Sequence, residues 1–144
     1  MTASKTSKGD NPPLNISDLK APEEECGLFG IYGMKDAATH TALGLHALQH
    51  RGQEAAGIVS YDGEQFHSHR ALGLVGDNFN SSETMTQLFG NLSVGHVRYS
   101  TTGGTVMRNI QPLFADFKFG GLAVAHNGNL TNSYKIRQEL VQRG

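Results

Sequence analysis

Glycine punctuates this chain and sets the length of its elements. It accounts for 18 of 144 residues, against a usual share of about 7%. No triplet period runs through them, so a collagen helix is excluded. Instead they separate short apolar runs, where tight turns and close backbone contacts need a residue without Cβ. Cys26-Gly-Leu-Phe-Gly-Ile-Tyr32 reads as a short buried strand. Asp36 is placed to cap a helix running to about His50, with Ala38, Ala42, Leu45 and Leu48 at helical spacing and Gly52 as its stop. Residues 56–61 and 64–70 form a hairpin about Asp62-Gly63. A short helix starts at Ser81 or Ser82 and reaches about Phe89, and residues 92–99 alternate as a strand. A second hairpin is expected from 114–119 and 122–126 about Gly120-Gly121. Thr131 or Asn132 caps a last helix from Ser133 to about Arg143. Strands outnumber helices and tight turns join them, which predicts an α+β fold with antiparallel sheets.

Residues 1–25 have a different texture. They hold three of the four prolines and six scattered apolar residues, with three lysines against five acids. Without an apolar cluster this leader is no secretory signal; it reads as a disordered tail or a removable propeptide. Residues 26–144 carry enough apolar residues for a core but stop directly after a helix, as the front piece of something longer would. The net charge of −1 offers no electrostatic footprint for nucleic acid or an anionic membrane surface. No run approaches the roughly 18 apolar residues of a membrane span.

Cys26 is the only cysteine, so no disulfide can form within the chain. A lone cysteine in an apolar strand is usually an inert packed residue. It becomes a nucleophile if a base serves it. Removal of residues 1–25 would supply one, because a free α-amine has a pKa near ~7.7–8.0 and would sit on the same residue as the thiol. Three other segments carry polar chemistry. Gly95-His-Val-Arg98-Tyr-Ser-Thr101 ends a strand on an arginine suited to a carboxylate. His126-Asn127-Gly128-Asn129 offers a side-chain amide and a freely approached backbone N–H, the parts of an oxyanion hole, or else an ordinary turn. Leu48-Gln-His-Arg51-Gly52-Gln-Glu-Ala-Ala-Gly57 packs an arginine between glycines, and Gly52 and Gly57 suggest close backbone approach. His46 and His50 share a helix face, but Ala47 stands where a zinc-protease motif needs Glu, so no metal site is expected.

Taken together, Cys26-Gly-Leu-Phe-Gly-Ile31, Leu48-Gln-His-Arg-Gly-Gln-Glu-Ala-Ala-Gly-Ile58, Gly95-His-Val-Arg-Tyr-Ser-Thr101 and Ala125-His-Asn-Gly-Asn-Leu130 resemble the glutaminase domain of the glutamine phosphoribosylpyrophosphate amidotransferase family, class II (N-terminal nucleophile) glutamine amidotransferases. Glucosamine-6-phosphate synthase-like relatives are less similar: they tend toward Tyr-Arg-Gly-Tyr and Arg-Trp-Ala where this chain has His50-Arg-Gly-Gln53 and Arg98-Tyr-Ser100. The resemblance implies a four-layer α/β/β/α Ntn-hydrolase sandwich, truncated at its C-terminal side. It implies that Cys26, freed as the N-terminus, attacks the glutamine side-chain amide and yields a thioester and ammonia. Arg98 would hold the substrate α-carboxylate, with Tyr99 and Thr101 in the pocket or its loop. Asn127 and Gly128 would stabilise the oxyanion, and Arg51 would support the site. The ammonia would convert phosphoribosyl diphosphate to phosphoribosylamine, the first committed step of purine synthesis, in a cytoplasmic homo-oligomer. The acidic residue for the substrate ammonium, the phosphoribosyltransferase domain with its Mg²⁺, and the 4Fe-4S cluster of some leader-bearing members would lie beyond Gly144. The competing reading is a non-catalytic fragment with its leader uncleaved.

Overall fold

The alternating segment around Gly95 becomes the hub of the larger sheet. The computed structural model describes residues 25–99, 106–128 and 130–144. In chain order the elements are β1 (Gly27–Tyr32), α1 (Ala37–Ala47), β2 (Ala55–Tyr61), β3 (Phe66–Leu72), α2 (Val75–Asn78), α3 (Ser82–Gln87), β4 (Leu92–Arg98), β5 (Leu113–Phe117), β6 (Gly120–Val124) and α4 (Ser133–Arg143). The first sheet is ordered β1-β4-β2-β3 with every pairing antiparallel, and β5-β6 form a separate hairpin. This is an α+β fold with antiparallel sheets.

Alternation along β4 assigns the two faces of the first sheet. Ser93, Gly95 and Val97 look toward α1. Thr41 and Ser93 share a hydrogen bond between their hydroxyls, and a Cβ on Gly95 would lie 2.6 Å from the Leu45 side chain. Gly44 makes the matching concession on the helix, where a Cβ would enter the Phe29 ring at 2.6 Å. Ala38, Ala42, Leu45, Ala56, Ile58, Val97, Val75, Phe79 and Leu88 close into one buried cluster. The opposite face carries His96 and Arg98, and the chain returns across it. The Arg98 and Arg70 guanidinium groups donate to the Asn109 and Ile110 carbonyls, each at 3.3 Å. A Cβ on Gly57 would collide with the Gln111 carbonyl oxygen. Phe66 and Phe114 join the two sheets, their ring centroids 5.2 Å apart.

Three local expectations are corrected. Asp36 does occupy the N-cap of α1, but in a left-handed conformation (φ 57°) with no capping bond from its side chain; Ser81 does cap α3, accepting from the Thr84 N–H at 3.1 Å. α1 ends at Ala47 and a 3-10 turn, Gln49–Arg51, follows it. Gly52 is extended rather than left-handed. Its glycine is required by clearance, since a Cβ would lie 2.7 Å from the Arg98 carbonyl carbon. The second hairpin turns at Lys118-Phe119, two residues early. Gly121 belongs to the strand because a Cβ there would meet the Phe66 ring at 2.7 Å. Among the described residues, no helix is long and apolar enough to cross a membrane.

Candidate active site

Cys26 stands one residue before β1, half-buried, at the edge of the face that the returning 109–111 segment crosses. The pairing of Gly27 with Val97 carries Cys26 alongside the end of β4. There its sulfur accepts from the Tyr99 N–H at 3.3 Å and donates to the Tyr99 carbonyl at 3.4 Å. A Cβ on Gly27 would lie 2.8 Å from Val97 and 2.9 Å from Leu48. Only glycine at 27 lets the chain enter β1 this close to the helix end, and the helix end delivers Arg51.

Arg51 is placed by the 3-10 turn, its N–H bonded to the Leu48 carbonyl at 2.9 Å. Its Nε donates to the Cys26 carbonyl at 3.2 Å, and its Nη2 meets Glu25 Oε2 at 2.8 Å. Asn127, a hundred residues away in sequence, donates its side-chain amide to the same Cys26 carbonyl at 2.8 Å. Behind it, the His126 N–H bonds the Gln111 side-chain oxygen at 2.6 Å. That buried glutamine holds the start of the Asn127-Gly128 turn. Gly128 has φ 119°, a left-handed conformation suited to glycine, with open space where a Cβ would be.

His96 lies beside these groups and is fully buried. Burial lowers its pKa from 6.5 to about 4, and the Arg98 and His126 charges act in the same direction. Asn127 is near enough to favour the charged form in part, yet neither ring nitrogen makes a hydrogen bond of good geometry. The ring is therefore neutral at pH 7.

The structure thus gathers Cys26, Arg51, Asn127 and the backbone of Tyr99, with Arg98 buried at the same strand end. Tyr99 meets the sulfur through its backbone. Thr101 lies outside the described residues. Sequence reasoning missed Glu25 and Gln111. The acidic run 23–25 beside the cysteine was a visible signal for the first. Nothing local marks Gln111, because its partner is fifteen residues away. Among the described residues no group of three His, Cys, Asp or Glu side chains is arranged to hold a metal. A single cysteine cannot by itself ligate a 4Fe-4S cluster.

The chain as a whole has known relatives. The amidophosphoribosyltransferase of Rhizobium etli is 60% identical over 121 residues, which is 84% of this chain and 24% of that protein. The Lacticaseibacillus casei protein of the same name is 50% identical, over 87% of this chain and 64% of that sequence. The chain is a relative of the amidophosphoribosyltransferases. Two solved structures agree. One is titled as the allosteric regulatory enzyme of purine biosynthesis (TM-score 0.76, 46% identity, 81% of this chain and 25% of that one). The other is the glutamine phosphoribosylpyrophosphate amidotransferase of Bacillus subtilis complexed with ADP and GMP (TM-score 0.73, 43% identity, 81% and 25%). No family model matches the chain. The chain spans about a quarter of the length of the Rhizobium relative and less than two thirds of the Lacticaseibacillus one.

Proposed function

We propose that residues 26–144 are the front of the glutamine-hydrolysing part of an amidophosphoribosyltransferase, and that Cys26 acts as an N-terminal nucleophile once residues 1–25 are removed. The observation that carries this reading is the convergence of Arg51 and Asn127 on Cys26, in a chain whose relatives bear that name.

Removal of the leader converts the Cys26 nitrogen from an amide into an amine that titrates near working pH. The amine takes the thiol proton, and the sulfur attacks the glutamine side-chain carbonyl carbon. Charge then develops on the carbonyl oxygen. The Asn127 amide and the Gly128 N–H are the donors that stabilise it, a contribution typically worth ~2.7–4 kcal/mol per donor. The C–N bond breaks as the ammonium returns its proton to the leaving nitrogen. Ammonia departs, a thioester remains, and water hydrolyses it to glutamate. Arg98 binds the substrate α-carboxylate; the Asn109 carbonyl holds its guanidinium at the strand end. Tyr99, whose backbone meets the Cys26 sulfur, lines the pocket. The ammonia displaces diphosphate from phosphoribosyl diphosphate in the remainder of the enzyme.

In the intact enzyme, Cys26→Ser should abolish glutamine-dependent phosphoribosylamine formation and leave ammonia-dependent formation unchanged. Loss of both activities, or of neither, would contradict the assignment.

A further inference from the structure

We propose that Glu25 and Arg51 form a clamp across the Glu25–Cys26 junction that positions this peptide bond for cleavage and is dismantled by it. The inference rests on the reading of Cys26 as a nucleophile exposed by leader removal. Arg51 grips both sides of one bond. Its Nη2 holds the Glu25 carboxylate at 2.8 Å, and its Nε holds the Cys26 carbonyl at 3.2 Å. The junction is anchored twice more. Asn127 donates to the same Cys26 carbonyl, and the Cys26 sulfur is tied to the backbone of Tyr99. Residues 51, 99 and 127 reach this point from separate parts of the fold, so the bond is presented in one orientation only after the fold has formed.

The Glu25–Arg51 pair contributes little to stability. The two side chains are 70% and 37% exposed, and exposed pairs contribute little in water. A planar guanidinium bridging a carboxylate and a carbonyl does fix geometry. Cleavage is the hydrolysis of one peptide bond: the water oxygen ends on the Glu25 carbonyl carbon, and a proton ends on the Cys26 nitrogen. Glu25 leaves with the leader. It is the one carboxylate that Arg51 meets among the described residues, so the cation then stands beside the new amine without its counter-charge. A neighbouring cation disfavours the ammonium form and keeps the amine available as a base. One arginine therefore serves the junction before cleavage and the amine after it.

The test is the rate at which newly made full-length protein converts to the form beginning at Cys26, followed by intact mass. Glu25→Gln should slow conversion by a factor of about two to five, and Glu25→Arg should slow it further. Arg51→Glu combined with Glu25→Arg should recover part of the loss over Glu25→Arg alone. Raised salt should bring the parent rate toward that of Glu25→Gln. The protein matured from Glu25→Gln has the parent sequence, so its glutamine turnover must be unchanged; this separates a positioning role from damage to the fold. Equal conversion rates in the parent, Glu25→Gln and Glu25→Arg would overturn the clamp while leaving the nucleophile reading intact. A parent that retains Met1 while turning over glutamine would overturn both.

Discussion

The helix-backed sheet and the β5-β6 hairpin meet at one cysteine but are packed very differently. In the first region, six of the seven residues of β2 are buried, and α1 buries Ala37, Ala38, Thr41, Ala42 and Leu45. In the second, every residue of β5 is exposed and α4 buries none. Phe117, Phe119, Leu122 and Val124 of the hairpin, with Leu140 and Val141 of α4, remain open to solvent. Cys26, Arg51 and Arg98 come from the packed region, while Asn127 and Gly128 follow β6. Cys26 is thus held by a well-packed wall, and Asn127 and Gly128 hang on a few contacts: Phe114 on Phe66, Gln111 against Gly57, the Gln111–His126 bond and the Asn127–Cys26 bond.

Leu45→Ala attacks the wall directly. The side chain is fully buried between α1 and the sheet, so the substitution should cost about 2–5 kcal/mol, read as a lowered urea midpoint. A loss below about 1 kcal/mol would mean the wall is looser than described. His96 lies where the two regions meet and supplies a pH test. Its folded pKa of about 4 is below the ordinary 6.5, so the unfolded chain takes up a proton that the folded chain refuses. Stability from this residue is therefore fully present above about pH 6.5 and declines as pH falls toward 4, by roughly 3 kcal/mol in all. His96→Asn should flatten that decline. An unchanged acid slope would show that His96 is not the group refusing the proton.

Gly57→Ala acts on the contact between the regions. Its Cβ has no room against the Gln111 carbonyl, so the 109–111 segment must move, at a cost of about 1–3 kcal/mol. Because Gln111 holds the turn before Asn127, glutamine turnover should fall in the intact enzyme while ammonia-dependent turnover is spared. Equal loss of both would place the damage elsewhere. The smallest effect belongs to the open region. Leu140→Ala in this chain should change stability by less than about 0.5 kcal/mol, and a larger loss would reveal packing on α4.

The packed region was also the more legible one in the sequence. Alternation in 92–99 marks β4 closely, because local pattern and tertiary burial agree there; Asp62-Gly63 marks the first hairpin, but its loop takes four residues, 62–65, and β3 starts at Phe66 rather than Glu64. Gly52 and Gly57 read in the sequence as points of close approach, although what they approach, Arg98 and Gln111, is remote in sequence. The second hairpin turns two residues before its glycine pair: two adjacent glycines look like a turn, but Gly121 is required by the Phe66 ring across the sheets. Asp36 suggested a side-chain cap from its residue type alone, whereas its left-handed backbone leaves that cap unmade. Cys26, Arg51, Arg98 and Asn127 could be singled out as chemically apt. Their meeting depends on β1 pairing with β4 and on the chain returning across the sheet, which no local spacing reports.

The most direct test of the central claim is the mass of the N-terminal peptide after the intact enzyme has been treated with a diazo-ketone analogue of glutamine. The account predicts a peptide beginning at Cys26 that carries one equivalent of label on the Cys26 sulfur, with protection by glutamine. A label on any other residue, or on a peptide that still begins at Met1, would contradict it.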